Sequence, residues 1–365
     1  MKIIGPIAGV GSRLKPFTYS KPKAFLTVAG KTVLDHILEK FSNTFDPTTG
    51  LILIVGHKKR QIIDYVTNNY MDKFKLLFIE QTPRGYLDGI PFFGGLGEAV
   101  YLSNVSFKKQ DFKTKEHDKR EGSLIFLGDM IPIDEYSYIM YRYFESDVDG
   151  IITVMEVSDE EASSYGIVTV DKDSIIQNLV EKPKEFISNL AIAGIYAFSN
   201  SATHALFKII KRYLDERSEN SKEIYLTQSL QDLVDEGFKI AAVKLRKGIL
   251  DFGRPSELLN GNKFLLEQNS VKKEEFQSSN ITVDSSFIKN PVFIGENTKI
   301  INSVIGPFVS IGKNSYIENC IIENSVIEEK ADLHSIISCN SIIGSNVKID
   351  NISRDNLIIG DRSRT

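Results

Sequence analysis

Apolar residues in the first two-thirds of the chain follow two alternating spacings, which predict strands and helices in turn. Compact apolar runs predict buried strands at 3–8, 51–55, 76–79, 124–127, 151–157, 167–170, 192–198 and 240–245. Apolar stripes with residues three and four apart predict helices at 34–41, 204–214, 226–234 and 258–266. Strands that alternate with helices build βαβ units. Residues 1–266 are therefore predicted to form an α/β domain with a mostly parallel, mixed sheet between helices.

A second pattern occupies residues 283–365. Aliphatic residues recur every five or six positions, with Gly, Asn, Ser, Glu and Lys between them, at Ile294, Ile300, Ile305, Ile311, Ile317, Ile322, Ile327 and Leu333. Equivalent positions such as Ile294 and Ile311 are 17 residues apart, which suits a coil of three short strands with inward aliphatic side chains. The repeat predicts a triangular parallel β-helix, joined to the first domain by a polar linker at 267–282. Because a solenoid end is exposed unless it is capped, we also expect a homo-oligomer.

Composition narrows the functional classes. The chain has 365 residues, 42% of them hydrophobic and 25% charged, which is ordinary for a globular protein of two domains. The net charge of −4 provides no basic excess, so no nucleic-acid partner is expected. No apolar run approaches a membrane span, and the short apolar start leads directly into glycine, unlike a signal peptide. We expect a cytoplasmic protein without a membrane partner, and we interpret the charged residues 108–121 as a solvated loop.

A glycine-rich loop, Ala8-Gly9-Val10-Gly11-Ser12-Arg13, follows the first predicted strand. Glycines in such a loop let backbone N–H groups approach phosphates closely. The loop lacks the Gly-Lys-Ser/Thr of a Walker A motif and the third glycine of a Rossmann fingerprint. By itself it fits a structural turn equally well. The cations Arg13 and Lys23 favour a polyphosphate ligand, since they are close enough in sequence to converge on one.

The longer run Gly9-x-Gly11-Ser12-Arg13-Leu14-x-Pro16-x-Thr18, followed by Pro22-Lys23, resembles the signature of the sugar-phosphate nucleotidyltransferase family. That family includes glucose-1-phosphate thymidylyltransferases and UTP–glucose-1-phosphate uridylyltransferases. The resemblance covers about residues 1–265 and implies a Rossmann-like fold of the nucleotide-diphospho-sugar transferase type. The repeat resembles the left-handed β-helix of some long members. Arg13 and Lys23 are then implied to bind and activate a nucleoside triphosphate, with Ala8, Gly9, Gly11 and Ser12 around the nucleotide.

Two further segments resemble those that supply magnesium ligands in the family. They are Leu127-Gly128-Asp129 and Leu250-Asp251-Phe252-Gly253. Independently of the resemblance, Asp129 follows the end of a buried strand, where open α/β sheets bind ligands. Carboxylate oxygens shared with substrate phosphates suit Mg²⁺. Asp129 and Asp251 are therefore the predicted metal ligands, and Mg²⁺ is the expected cofactor.

The sugar-phosphate side of the family's pocket resembles three later segments: Tyr165-Gly166, Glu181-Lys182-Pro183 and Asn189-Leu190-Ala191-Ile192-Ala193-Gly194. The resemblance implies that Glu181 accepts hydrogen bonds from sugar hydroxyls. It implies that Lys182 binds the sugar phosphate and assists catalysis. Gly166, Ile192 and Gly194 are implied to line the sugar site.

The base-reading segment of the family resembles Gln81 followed by Gly95-Leu96-Gly97-Glu98-Ala99. A Gln amide can pair with the donor and acceptor edge of a pyrimidine. Gly-Leu at this point resembles the thymidine and uridine enzymes, whereas purine-using relatives more often have Gly-Thr. Residues 85–94, between these two parts, are an insertion relative to close family members.

The implied reaction joins a nucleoside triphosphate, dTTP or UTP, to a sugar 1-phosphate, with glucose 1-phosphate favoured. An anionic phosphate oxygen attacks the α-phosphorus in line, so catalysis needs positioning and charge neutralisation rather than a protein nucleophile. One alternative is a mannose-1-phosphate guanylyltransferase. A second is a catalytically silent regulatory or scaffold paralogue. Such a protein would be expected to lack the loop arginine, the lysine or a metal aspartate, whereas Arg13, Lys23, Asp129 and Asp251 are all present. A third is an additional acyltransferase activity in the β-helix, where His334 is the only histidine.

Overall fold

The computed structural model describes residues 1–107, 119–216, 223–272 and 280–364. Its contacts divide the chain into two compact units, residues 1–10 with 37–249 and residues 11–36 with 250–365. Most of the predicted loop 108–121 and the central part of the predicted linker 267–282 lie outside the described residues. Within the described ranges, none of the helices combines the length and apolar content needed to cross a membrane.

In chain order, the strands are β1 (Lys2–Pro6), β2 (Thr27–Val28), β3 (Lys31–Thr32), β4 (Gly50–Val55), β5 (Lys75–Glu80), β6 (Gly85–Leu87), β7 (Ile90–Phe92), β8 (Ser123–Phe126), β9 (Met130–Pro132), β10 (Gly150–Glu156), β11 (Gly166–Val170), β12 (Ile176–Glu181), β13 (Leu190–Phe198), β14 (Ile240–Lys244), β15 (Ile249–Asp251), β16 (Thr282–Asp284), β17 (Phe287–Ile288), β18 (Val292–Ile294), β19 (Lys299–Ile301), β20 (Val304–Ile305), β21 (Val309–Ile311), β22 (Tyr316–Glu318), β23 (Ile321–Glu323), β24 (Val326–Ile327), β25 (Asp332–Cys339), β26 (Ile342–Ile343), β27 (Lys348–Ser353) and β28 (Ile358–Ile359). The helices are α1 (Val33–Ser42), α2 (Lys59–Tyr70), α3 (Gly95–Leu102), α4 (Tyr136–Glu145), α5 (Asp159–Ala162), α6 (Asn200–Asp215), α7 (Leu226–Asp235) and α8 (Pro255–Lys272).

The first unit is built on a mixed sheet with the strand order β12-β11-β13-β8-β1-β4-β5, to which β10 and β14 are joined through β13. Neighbours β8, β1, β4 and β5 run parallel, and Ile3 pairs with both Leu51 and Leu124. Strand β13 runs antiparallel to β8, β10 and β11. The parallel strands are apolar on both faces because both faces are covered. The predicted α/β class is confirmed, as is a mixed sheet that contains a run of parallel strands.

Helices cover the sheet on both sides. Successive residues of a strand point to opposite faces, so Ile125 and Phe126 of β8 mark two different layers. Ile125 belongs to a buried cluster with Val100 of α3 and Leu206 of α6. Phe126 instead packs edge-on against Phe41 of α1, at 4.9 Å between ring centroids. Two apolar layers therefore hold the strand ends in place, which fixes the edge that carries the candidate site.

The second unit contains a parallel β-helix. Strands from successive coils stack in parallel sheets, with Ile294 opposite Ile311 and Ile300 opposite Ile317. The predicted inward positions are all buried, with at most 1% of each residue exposed, at Ile294, Ile300, Ile305, Ile311, Ile317, Ile322, Ile327 and Leu333. The spacing of the aliphatic residues thus gave the correct register. The predicted parallel coil is confirmed.

Asparagines turn the corners of the coils. Asn302 and Asn319 have φ of 47° and 53°, in the left-handed region that Asn tolerates better than most residues. The Asn302 side chain donates a 2.6 Å hydrogen bond to Asn319 Oδ1 in the next coil. Asn324 and Asn340 make the same contact at the next corner of the β-helix. These asparagines, which lie between the aliphatic positions, therefore form the turns and link successive coils.

Candidate active site

Predicted nucleotide and metal residues meet at one edge of the first unit's sheet. Ala8 follows β1, Gln81 follows β5 and Asp129 follows β8, and these strands run parallel. Backbone hydrogen bonds continue past the strand ends, from Gln81 N to Val55 O at 2.8 Å and from His57 N to Ala8 O at 3.0 Å. The carboxyl edge of parallel strands is where open α/β sheets bind ligands. The structure therefore brings Ala8, Gln81 and Asp129 to one edge.

The turn that carries Asp129 lies directly against the end of β1. A Cβ added at Gly128 would stand 2.2 Å from Ile7 Cγ2, so this approach requires glycine. Met130 N donates to Leu127 O at 3.3 Å and closes the turn, which leaves Asp129 half-buried. Gly9 is open by contrast, because a Cβ added there would meet no atom within 4 Å. Its backbone can be approached by a ligand.

Gln81 is 3% exposed, and its side-chain amide is held in one orientation. Nε2 donates to Gly95 O at 3.2 Å and to Glu98 Oε2 at 3.0 Å. Both partners are acceptors, so the NH₂ group must face them and both of its hydrogens are used. Oε1 is then the amide atom available to a ligand. The Gln81 side chain can accept from a base N–H, whereas the sequence predicted a contact with both donor and acceptor.

The insertion at 85–94 folds as a β-hairpin. Strands β6 and β7 pair antiparallel, and the turn residues Asp88 and Gly89 have φ of 51° and 75°. Positive φ at both central positions is typical of a type I′ turn, for which Asp-Gly is a preferred sequence. Arg84 N donates to Phe92 O at 2.9 Å at the base of the hairpin. The inserted residues therefore loop out, which leaves Gln81 in contact with Gly95.

Glycine is required at position 95 for two reasons. Its φ is 92°, and an added Cβ would stand 2.7 Å from Ile224 O. The neighbouring Leu96 packs against the buried cluster under α3. In the predicted base-reading segment, Gly95 therefore presents backbone, while the Leu96 side chain belongs to the core.

Three of the predicted sugar residues come together beside Thr227. Gly166 pairs with Glu181 across β11 and β12, and an added Cβ at Gly166 would lie 3.0 Å from Ile192 Cδ1. Thr227 Oγ1 donates to Glu181 Oε2 at 2.7 Å. Lys182 is exposed, and its Nζ lies 3.3 Å from Glu181 Oε1. Thr227, which sequence reasoning missed, thus orients the predicted hydroxyl acceptor.

Gly194 occupies the other end of the sugar segment, beside the turn of Asp129. Its φ is 73°, and an added Cβ would lie 2.7 Å from Met130 Sδ. Leu127 N donates to Gly194 O at 3.1 Å. Burial, with the Glu181 charge as a lesser cause, raises the pKa of the nearby Tyr196 hydroxyl on the same strand. The tyrosine therefore stays neutral, and Gly194 contacts the turn of Asp129 rather than the Glu181 group.

The second unit holds the phosphate-binding candidates Gly11, Ser12, Arg13 and Lys23. Gly11 has a φ of 68° and starts the short turn Ser12–Leu14. Thr18 Oγ1 donates to Gly11 O at 3.0 Å. An added Cβ at Gly11 would lie 3.0 Å from Lys23 Cβ, so the glycine turn and the lysine are immediate neighbours. The exposed Arg13 lines an open cavity of about 530 Å³ together with Arg254.

Asp251, also in this unit, is half-buried at the end of β15, where Oδ1 accepts from Gly253 N at 2.8 Å. Among the described residues there is no group of three or more His, Cys, Asp or Glu side chains suited to a metal. Mg²⁺ commonly binds through one or two carboxylates and completes its shell with water and substrate phosphates. The donor chemistry of Asp129 and Asp251 fits that mode. Their role as metal ligands stays a prediction.

Similarity to known proteins extends over most of the chain. Bifunctional protein GlmU of Methanocaldococcus jannaschii is 32% identical over 282 residues, which cover 77% of this chain and 58% of that protein. The chain thus spans less than two-thirds of that relative's length. The UTP–glucose-1-phosphate uridylyltransferase AglF of Haloferax volcanii is 26% identical over 275 residues, which cover 75% of this chain and 100% of that protein.

Two solved structures share the fold. A putative glucose-1-phosphate thymidylyltransferase from Bacillus anthracis, in complex with a sucrose, superposes with a TM-score of 0.56 at 20% identity, covering 72% of this chain and 94% of that one. A UDP-glucose pyrophosphorylase complexed with UDP-glucose gives a TM-score of 0.57 at 21% identity, covering 73% and 98%. The nucleotidyl transferase family model matches residues 7–268. Because that match covers well over half of the chain's length, the chain belongs to the nucleotidyl transferase family.

Proposed function

We propose that the protein transfers a pyrimidine nucleotidyl group from a nucleoside triphosphate to a sugar 1-phosphate and releases pyrophosphate. The observation that carries the proposal is the shared carboxyl edge of β1, β5 and β8, where Ala8, Gln81 and Asp129 lie. A base reader and a metal-type carboxylate at one strand edge fit a nucleotide ligand. UTP or dTTP is the proposed donor and glucose 1-phosphate the proposed acceptor.

In this reaction a phosphate oxygen of the sugar phosphate forms a bond to the α-phosphorus. The bond between that phosphorus and the pyrophosphate oxygen breaks, and pyrophosphate leaves with the bonding electrons. No side chain has to act as nucleophile, because the attacking oxygen is already anionic. The chain's task is to position two anions and reduce their repulsion. Arg13 and Lys23 are assigned to the triphosphate and Lys182 to the sugar phosphate.

Magnesium would be held by Asp129 and Asp251, with phosphate oxygens and water completing the shell. When bound, it would supply charge neutralisation on the phosphates. The protein's own part is to hold the carboxylates: the Gly128 turn fixes Asp129 against β1, and the Gly253 amide orients Asp251.

The choice of base is assigned to Gln81. Its Oε1 is the amide atom left to a ligand, so it selects a base with an N–H at the pairing edge. Uracil and thymine present the N3–H donor there, while cytosine presents an acceptor at N3. Guanine also has an N–H at this edge, and so a guanylyltransferase remains the alternative. The Gly95-Leu96 pair and the similarity to a uridylyltransferase support a pyrimidine donor.

The proposal is tested by measuring pyrophosphate release with UTP, dTTP, CTP, GTP and ATP against several sugar 1-phosphates. We expect UTP or dTTP with glucose 1-phosphate to give the highest kcat/KM, and CTP the lowest among the pyrimidines. A preference for GTP with mannose 1-phosphate would replace the proposed substrates. No release with any pair would overturn the activity.

The metal assignment is tested by Asp129→Asn and Asp251→Asn, compared with Asp173→Asn in an exposed turn. Each of the first two substitutions should lower kcat by about two orders of magnitude while the circular dichroism spectrum and Tm stay unchanged. The third should leave kcat unchanged. Equal rates for all three variants would remove Asp129 and Asp251 from the reaction.

An acyltransferase activity in the β-helix is not part of the proposal. His334 Nε2 lies 2.8 Å from Asp332 Oδ1, and Nδ1 lies 3.2 Å from Glu318 Oε2. Carboxylate oxygens therefore lie within hydrogen-bond distance of both ring nitrogens, so neither nitrogen is left to take a proton from a substrate. Such a histidine is a poor general base.

A further inference from the structure

The segment 11–36 carries Arg13 and Lys23 but has little regular structure of its own. It consists of the short turns Ser12–Leu14, Phe17–Tyr19 and Lys23–Phe25, the two-residue strands β2 and β3, and the first turn of α1. Turns of this length do not hold their conformation without tertiary contacts. Contacts within the second unit therefore decide where these two cations stand.

The first set of contacts lies just before Lys23 in the chain. Lys21 Nζ is 3.4 Å from Glu328 Oε2 and 3.4 Å from Asp361 Oδ2, and it donates to Ser345 Oγ at 3.1 Å. Ser20 Oγ donates to Asp361 Oδ2 at 2.5 Å. Glu328, Ser345 and Asp361 follow three stacked strands of the β-helix, β24, β26 and β28. One lysine thus joins the segment to successive coils.

A second set lies just after Lys23. Thr27 N donates to Glu328 Oε1 at 3.2 Å, and Thr27 Oγ1 donates to Glu328 Oε2 at 3.0 Å. The same carboxylate therefore binds the chain on both sides of Lys23. Since both oxygens are used, Glu328 fixes the orientation of this turn as well as its distance from the β-helix.

A third set joins the following turn to α8 and the β-helix. Asn262 is completely buried, and its Oδ1 accepts from Ala29 N at 2.9 Å and from Ser310 Oγ at 2.6 Å. An added Cβ at Gly30 would lie 2.4 Å from the Phe293 ring. The segment therefore lies directly on the coil here too.

The charges in this contact are well shielded from water. Side-chain exposure is 14% for Lys21, 7% for Glu328 and 9% for Asp361. Burial raises the pKa of Glu328, against the opposing effects of the Lys21 charge and the Thr27 hydrogen bonds. Removing one member of such a group leaves the others buried without full compensation, so the contact is specific in a way that a surface ion pair is not.

We infer that Glu328 and Asp361 of the β-helix are positioning residues for the phosphate-binding segment, acting through Lys21, Ser20 and Thr27. The inference rests on the proposed function, because it assumes that Lys23 binds the triphosphate. It assigns the last coils of the β-helix an indirect role in binding the nucleoside triphosphate, because they position the segment that carries Lys23. The bound sugar phosphate is not affected by this contact in the proposed assignment.

Glu328→Gln and Lys21→Met test the inference in the full-length protein, with Glu329→Gln and Lys313→Met as matched controls. Glu329 and Lys313 form an exposed pair 3.9 Å apart on the same β-helix. The two test variants should raise KM for the nucleoside triphosphate by about tenfold or more, with KM for the sugar phosphate within about twofold of wild type. The controls should leave both values unchanged.

Hydrogen–deuterium exchange of peptides from residues 11–28 gives a readout that does not depend on activity. Exchange should be faster in Glu328→Gln than in Glu329→Gln, while peptides from the β-helix strands stay protected. If Lys21→Met does not fold, Thr27→Val removes a single hydrogen bond and should show the same direction. Unchanged exchange and unchanged KM in folded Glu328→Gln would overturn the inference.

The proposed function can fail separately. If Lys23→Ala is as active as Lys172→Ala, an exposed lysine of the first unit, then Lys23 does not bind the triphosphate and the proposed function loses that residue. In that case, faster exchange in Glu328→Gln would still support the contact between the β-helix and the segment 11–36. The role of Glu328 and Asp361 in positioning a triphosphate site would be overturned.

Discussion

At the scale of single residues, the candidate site depends on groups that hold other groups in place. Gln81 offers one amide oxygen to a ligand because Glu98 and Gly95 take both amide hydrogens. Thr227 donates a hydrogen bond to Glu181 and so orients that carboxylate. Glu98 lies in the predicted base-reading segment, but the sequence assigned it no role, and Thr227 belongs to no motif found in the sequence. Each could be found only when distant segments were brought together.

Replacing Glu98 should relax base selection. In Glu98→Ala the Gln81 amide loses an acceptor and can rotate, so it can donate to the N3 acceptor of cytosine. We expect the ratio of kcat/KM for UTP over CTP to fall by about tenfold, the equivalent of one hydrogen bond. Glu98→Gln keeps an acceptor and should retain most of the ratio. Arg84→Ala serves as the control for the lost ion pair between Arg84 and Glu98. A ratio unchanged in Glu98→Ala would show that Gln81 does not select the base.

The two loop glycines should respond differently to alanine. Gly11 has a positive φ and stands against Lys23, so Gly11→Ala should lose about 1–2 kcal/mol of stability and raise KM for the nucleotide. Gly9 has open space around it, so Gly9→Ala should keep the wild-type Tm and raise KM alone. Thermal denaturation and initial rates separate the two effects. A normal KM in Gly9→Ala would mean that no phosphate approaches that backbone.

At the scale of elements, the sequence predicted the strands of the main sheet, except β12, better than the helices. Buried strands such as β4 and β8 are continuous apolar runs, and the β-helix positions repeat at a fixed interval. Helices α2, α3, α4 and α5 were not predicted, although Ile62, Val66 and Tyr70 form a buried stripe along α2. Apolar residues are few in α2, α3 contains two glycines, α4 is rich in tyrosine and α5 is a short acidic turn, so tertiary packing rather than an obvious stripe stabilises them. The hairpin of β6 and β7 had a signal in Asp88-Gly89 that would have identified it.

The asparagine corners of the β-helix allow a direct test of backbone conformation. Asn319 has a φ of 53° and accepts from Asn302. Asn319→Ala and Asn319→Gly both lose that hydrogen bond, but only alanine has a Cβ that disfavours the left-handed region. The glycine variant should be more stable than the alanine variant by about 1 kcal/mol in urea denaturation. The opposite order would show that the corner does not require positive φ.

The Asp332 carboxylate, which accepts hydrogen bonds from Lys348 and His334, should make the β-helix less stable in acid. Burial acts to raise the pKa of Asp332, but hydrogen bonds from Lys348 and His334 outweigh it and hold this pKa below its usual range. A lowered folded-state pKa contributes stability above the unfolded-state pKa, and that stability is lost as the pH falls through the folded-state value. The destabilisation by Asp332→Asn should therefore be largest near neutral pH and shrink in acid. Denaturation at several pH values measures it, with the exposed Glu296→Gln as control. A destabilisation independent of pH would contradict this account.

At the scale of the whole molecule, chain order is a poor guide to which residues belong together. Residues 11–36 lie between the first strand and the rest of the sheet in sequence, yet they share a unit with residues 250–365. Ser20 and Asp361 are hydrogen-bonded although 341 positions separate them. No periodicity encodes such a pair, because Lys21, Thr27 and Glu328 are ordinary surface residue types in the sequence. The predicted domain boundaries at 266 and 283 describe the change of pattern and stay a prediction.

The family's fold and the identity of its motifs could be predicted from sequence, because glycines and charged residues stand at fixed spacings after the strands. The orientation of Gln81 and the contacts of the segment 11–36 could not, since both arise from contacts between distant positions.

The activity that we propose for the chain is the synthesis of a nucleotide sugar from a pyrimidine nucleoside triphosphate and a sugar 1-phosphate. The most direct measurement is ³¹P NMR of the wild-type protein with Mg²⁺, glucose 1-phosphate and either UTP or dTTP. The account predicts the pyrophosphate resonance together with the two coupled resonances of a nucleoside diphosphate sugar, in equal amounts, and neither product with Lys23→Ala. Unchanged substrate resonances, or inorganic phosphate released without a nucleotide sugar, would contradict it.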